Sequence, residues 1–196
     1  MAETTNMDAF TRLKRNLKED FSGLRPVGVA LLGDTATQWL AQAIRGAGYE
    51  RGLDLRLYEA DFSQIGQQVY DPVSDLYGFD PQVILLYQSA QRLLESFNIL
   101  APGARRDLAE SRIAQIDSLR KAIRARTTAS ILYYNYPEID DGVFGSYSNK
   151  TDSSFLFQLR KVNYELMRYA TQQEGFHVVD LAVLQQQTGR VVFFRP

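Results

Sequence analysis

The chain contains no cysteine and a single histidine, His177, among its 196 residues. The first absence removes disulfides, thiolate nucleophiles and Cys-ligated metal, and it fits a cytoplasmic protein. The second means that one chain cannot assemble a multi-histidine metal site. An excess of either charge is also missing. With 22 basic and 23 acidic side chains the net charge is −1, so no strong field gathers nucleic acid or an anionic membrane. Neither is expected as a partner. No apolar run is long enough to span a bilayer, and no signal-peptide pattern follows Met1. Internal repeats and low-complexity tracts are absent too. What remains is an ordinary globular composition, 45% hydrophobic and 23% charged, long enough for one domain with a sizeable core.

The most informative stretch is VGVALLGDTATQWLAQAI, Val27 to Ile44. An unbroken apolar run meets Gly-Asp-Thr and then a helix beginning near Thr37, which is the strand–turn–helix unit of an open α/β sheet. Gly33 permits the sharp reversal, and Asp34, Thr35 or Thr37 is positioned to cap the helix through a side-chain oxygen. A strand's carboxyl end is where such folds bind ligands. Asp34 and Thr35 therefore stand as a candidate carboxylate and hydroxyl, against the plainer reading of a well-capped turn.

The rest of the chain repeats the alternation. Residues 1–7 read as a loose polar start. Phe10, Leu13, Leu17 and Phe21 then mark an amphipathic helix, so residues 1–24 form a segment laid on the domain proper, residues 25–196. Gly46, Gly48 and Gly52 are expected to end the helix after the first strand. LDLRLYE (53–59) alternates as a strand near the sheet edge, whereas VILLY (83–87) is wholly apolar, as a doubly covered parallel strand should be. Ser89 caps a short helix running to Phe97. A long helix is expected over 104–126, a strand over SILYY (130–134), a polar loop over 138–150 lying across the site, and a helix over 152–174. FHVVDL (176–181) makes the fifth strand. RVVFFRP (190–196) is an apolar ending that reads as an interruption before a further domain. The expected architecture is a three-layer α/β/α fold, doubly wound, around a five-stranded, mostly parallel sheet of flavodoxin-like or SGNH-hydrolase-like shape. Its polar strand ends bring Asp34, Thr35 and Thr37, then Gln88 and Ser89, then Asn135 and Tyr136, then Asp180 to one edge.

These residues carry a resemblance. Gly-Asp-Thr after the first strand resembles the Gly-Asp-Ser block of SGNH (GDSL-type) hydrolases, and Asp180 stands where their Asp-x-x-His block begins. The whole of residues 10–196 is similar to the N-terminal domain of FkbH-like proteins. The shared features are the basic leading helix, LLGDTATQWLAQAI, YDPVSDLYGFDPQVILL and the LRKVNYELM helix before HVVDLAVLQQQTGR. The resemblance implies an SGNH-like domain followed by a haloacid-dehalogenase (HAD) superfamily domain. That second domain holds Mg²⁺ and carries the phosphoryl chemistry, while this one holds no cofactor. Some such proteins load a glyceryl unit from a phosphorylated donor onto an acyl carrier protein, and others act in polysaccharide biosynthesis.

On the SGNH pattern the catalytic set is incomplete. Thr35 replaces the serine, Gln88, Ser89 and Ala90 stand where an oxyanion-hole Asn belongs, and Val183 replaces the histidine three residues after Asp180. Without an imidazole, no group of near-neutral pKa is left to take the hydroxyl proton. His177 precedes Asp180 in the same strand and points to the opposite face. The expected function is thus a catalytically degenerate domain that binds or orients a substrate, a carrier protein or the HAD domain. Two alternatives stand beside it: an esterase or acyltransferase using Thr35, and a flavodoxin-like small-molecule binder. Asp140, Asp141 and Asp152 match no EF-hand spacing and read as a solvated acidic turn, so no metal site is assigned. Tyr133, Tyr134, Tyr136 and Tyr147 offer stacking surfaces, with Tyr133 and Tyr134 in a strand and so better placed for the core.

Overall fold

The structure, a computed structural model, describes residues 2–189; the apolar RVVFFRP segment lies outside them. Its strands are β1 (Arg25–Gly33), β2 (Leu53–Glu59), β3 (Val83–Tyr87), β4 (Ser130–Tyr134) and β5 (Phe176–Val179). All pair in parallel in the order β2-β1-β3-β4-β5. The helices are α1 (Ala2–Asn16), α2 (Gln38–Tyr49), α3 (Ile65–Tyr70), α4 (Asp75–Gly78), α5 (Ala90–Ile99), α6 (Leu108–Arg124), α7 (Phe155–Ala170) and α8 (Leu181–Thr188). The expected doubly wound α/β fold is the fold observed.

The strand period of two sorts the core into its two halves. Ala30, Leu32, Ile84, Leu86, Ile131, Tyr133 and Phe176 point to one face, where helices α3, α5, α6 and α7 bury them. Val29, Leu31 and Leu85 point to the other and meet Ala41 of α2 in a smaller cluster. Register holds each set level, with Ala30 beside Ile84, Ile84 beside Ile131 and Ile131 beside Phe176. Among the described residues, no helix is long and apolar enough to cross a membrane.

Four expectations change in detail. The start of the chain is helical from Ala2. Gly46 and Gly48 lie inside α2 and do not end it. A Cβ on Gly46 would sit 2.1 Å from the Leu13 carbonyl oxygen, so this glycine lets the backbone of α1 touch α2. Gly52, at φ +71°, makes the turn that follows. The long helix expected over 104–126 is a 3₁₀ turn, Pro102–Asp107, followed by α6. Finally, the 138–150 loop is tied to α7: Arg160 donates to both Glu138 oxygens at 2.8 Å, and Ser154 Oγ donates to the Ser148 carbonyl at 2.6 Å.

Candidate functional site

The strand order reverses between β1 and β3, which run to neighbouring positions while their connections leave in opposite directions. Such a switch point opens a crevice at the strands' carboxyl ends. Asp34 and Ser89 stand there. The Asp34 N–H donates to the Tyr87 carbonyl at 3.1 Å, and the Ser89 N–H donates to both Asp34 carboxylate oxygens at 2.9 and 3.1 Å. Ser89 Oγ in turn accepts from Arg92 N and caps α5, as its sequence position suggested. Burial pushes the Asp34 carboxyl above its usual range, opposed by the Ser89 hydrogen bonds and by the positive charges of Arg112 and Arg92.

Asp34 opens into a cavity of about 560 Å³, lined also by Gln88, Arg92, Glu95, Arg112 and Gln115. Gln88 is fixed from below. Tyr133 Oη donates to Gln88 Oε1 at 2.9 Å and lies 2.6 Å from Tyr136 Oη. Burial raises both phenols above their usual range, so they act as neutral hydrogen-bonding groups. Tyr136, expected at a ligand's side, is fully buried and reaches the cavity only through Tyr133 and Gln88.

Thr35 belongs to a different cleft. It shares about 530 Å³ with Thr37, Gln38, Glu59, Asp61 and Phe62. The paired hydroxyl there is that of Thr37, which is 4% exposed and donates to Glu59 Oε1 at 2.8 Å. That bond ties the end of β2 to the start of α2. Thr37 makes no side-chain cap to its helix, so of the capping oxygens expected here Asp34 is spent on Ser89 and Thr37 on Glu59.

Asn135 and Asp180 form a third, closed unit. Asn135 Nδ2 donates to Asp180 Oδ1 at 2.8 Å, while Asn135 Oδ1 accepts from Leu181 N at 2.6 Å. Asp180 also accepts from Val183 N at 3.0 Å and so caps α8. β3 and β4 separate β5 from β1. Three strand spacings of roughly 4.8 Å put Asp180 roughly 14 Å across the sheet from Thr35. His177 is exposed on β5. The acidic loop folds on itself, Asp140 accepting from Gly142 N and Asp141 from Val143 N. Among the described residues, no group of three or more His, Asp or Glu side chains is placed to hold a metal ion.

Sequence pattern by itself does not single out Arg112, Arg92, Gln115 or Glu59 as site residues. A signal existed for Arg112: it falls on the buried stripe of α6, four residues after Leu108 and four before Ile116. A charge on an apolar stripe asks for a reason.

The geometry thus places two clefts and a capped strand end along one sheet edge, and comparison with known proteins gives that edge a context. No curated protein matches the chain. Among solved structures it is similar to the N-terminal part of the protein BF1531 from Bacteroides fragilis, which contains a phosphatase domain and is complexed with Mg. The two share 40% identity with a TM-score of 0.87, over 93% of this chain and 47% of that one, so this chain spans about half the length of the solved chain. Residues 28–196 match the N-terminal domain of FkbH, and a match over so much of the sequence means that this chain belongs to the family of FkbH N-terminal domains.

Proposed function

We propose that this chain is a binding and orienting domain of an FkbH-like protein and is not itself a hydrolase. The observation that carries the reading is the fate of Asp180. One of its carboxylate oxygens, Oδ1, accepts from Asn135 and from the first turn of α8, and Val183 stands where an SGNH hydrolase needs its histidine. An acid that caps a helix, with no histidine three residues on, orients no base for the Thr35 hydroxyl. In this reading an adjoining HAD-type phosphatase domain binds Mg²⁺ and performs the phosphoryl chemistry, in a cytoplasmic protein of polyketide or polysaccharide biosynthesis. The present domain holds substrate, acyl carrier protein or the phosphatase domain in place. The adjoining phosphatase domain is supported by the Bacteroides fragilis protein, which is 40% identical over the matched part and contains a phosphatase domain complexed with Mg.

Hydrolysis of short-chain p-nitrophenyl esters tests it. Wild type and Thr35→Ala are both expected at the uncatalysed background. Turnover that disappears in Thr35→Ala overturns the proposal in favour of an esterase or acyltransferase. The observation on that side is the pair of carboxylates, Glu59 and Asp61, lining the Thr35 cleft.

A further inference from the structure

Four arginines are half-buried among the described residues: Arg105, Arg112, Arg120 and Arg124. Three of them have obvious employment. Arg105 donates to the Asn98 carbonyl, Arg120 to Tyr169 Oη and Asp117, and Arg124 to the Ala129 and Gly175 carbonyls. Arg112 makes no hydrogen bond or ion pair with any described residue. Yet it interrupts the apolar stripe of α6, between the buried Leu108 and Ile116, and ends in the 560 Å³ cavity at the β1/β3 switch point. A guanidinium carries five donors in a planar fork that matches an oxyanion. Holding one half out of water with none of them engaged is costly in a resting fold and useful in a binding site.

The neighbours complete the argument. Arg92 and Glu95 pair at 2.8 Å and offset each other's charge. Gln88 Oε1 is taken by Tyr133, which leaves the Gln88 NH₂ to donate into the same space. Asp34 is anchored by Ser89, and Arg112 acts on its charge without closing an ion pair on it. The volume is that of a small-molecule site. We propose that this cavity binds the phosphate or carboxylate group of a small molecule, with Arg112 as its anchor and the Gln88 amide as a second donor. The proposal rests on the reading of this domain as a binding module, and it gives that module's ligand a chemical class.

Titration with methyl phosphate, and separately with acetate, followed through the amide resonances of Gln88, Ser89 and Arg92, tests it. Saturable shifts are expected in at least one arm, and the arm that saturates identifies the anion. The dissociation constant should rise by at least about tenfold in Arg112→Gln, since a charge-assisted fork is lost. Arg112→Lys, which keeps the charge and loses the fork, should fall between, and it carries the comparison if Arg112→Gln does not fold. Arg168→Gln, on the exposed face of α7 and paired with Glu165, should match wild type. No saturable shift in either arm for folded wild type, or unchanged affinity in the Arg112 variants, overturns the proposal. Neither result bears on ester turnover at Thr35, so the two readings fail separately.

Discussion

Thr37 and Asp34 stand three residues apart in one turn, and each is fastened to a different strand end. The Thr37 hydroxyl, buried, donates to Glu59. Thr37→Val removes the donor and leaves a carboxylate oxygen short of a partner, so a loss of about 1–3 kcal/mol is expected in urea unfolding. A change below the error of that measurement would show that water replaces the hydroxyl freely. Asp34 acts with the opposite sign. Burial raises its folded-state pKa, so the fold binds the Asp34 proton more tightly than the unfolded chain does. The stability that this group withholds at neutral pH returns as pH falls through its raised pKa toward the ordinary carboxylate range. Asp34→Asn keeps an acceptor for Ser89 without the charge. Its stability relative to wild type should therefore be better at pH 7 than near pH 4, a comparison of two urea series. A difference that runs the other way would mean that the Ser89 hydrogen bonds outweigh burial. At this scale the sequence announced Asp34, Thr35, Gln88 and Ser89 as strand-end residues. It could not separate Thr35 from Asp34, which are adjacent in the chain yet open into different clefts. Which way two neighbouring side chains face at a strand end depends on the turn that joins them.

Helix ends and helix crossings were read with unequal success, and the reason lies in range. Ser89 accepts an N–H from its own first turn, a contact three residues long that sequence shows, whereas Ser154 caps α7 from inside the helix that sequence pattern starts at 152. Ser154 does more: its Oγ–H donates to the Ser148 carbonyl and pins the 138–150 loop to α7. Ser154→Ala should thus cost about 1–2 kcal/mol in thermal or chemical unfolding, with proteolysis appearing first within residues 138–150. Cleavage elsewhere would separate the loop from the cap. Gly46 shows the other case. Its reason for being glycine is the Leu13 carbonyl, a contact 33 residues away that no local pattern reveals, so local pattern alone marks it as a helix end. Gly46→Ala should lift α1 from α2, strip the Asn16 hydrogen bonds to Gly46 and Glu50, and raise amide exchange throughout α1. Exchange left at wild-type levels would place the anchor of α1 elsewhere.

As a whole the molecule is a sheet with two unequal cores and one outlying helix. α1 packs on α2, and Phe10 meets Trp39 with ring centroids 5.9 Å apart. Trp39 is 74% exposed and is the one tryptophan in the chain, so its fluorescence reports this outer contact and not the sheet. Its transition in urea should precede loss of the far-UV circular dichroism signal, because no α1 side chain among residues 9–16 is fully buried and the helix can leave first. Coincident transitions would instead make α1 part of the cooperative unit.

The sequence by itself determined the architecture. Apolar runs of strand length alternating with helical stripes allow few packings in water, and five strands separated by helices leave a parallel sheet with both faces covered. It also showed that Val183, and not a histidine, stands three residues after Asp180. The tertiary structure decided which strand ends became neighbours. By placing β1 beside β3, it put Asp34 against Ser89 and brought Arg112 from α6 into their cavity. It set Asp180 beside Asn135 and left Thr35 alone. The two hydrogen-bonded pairs, Asp34 with Ser89 and Asn135 with Asp180, join residues 55 and 45 apart in the chain, and only the order of strands in the folded sheet determines them.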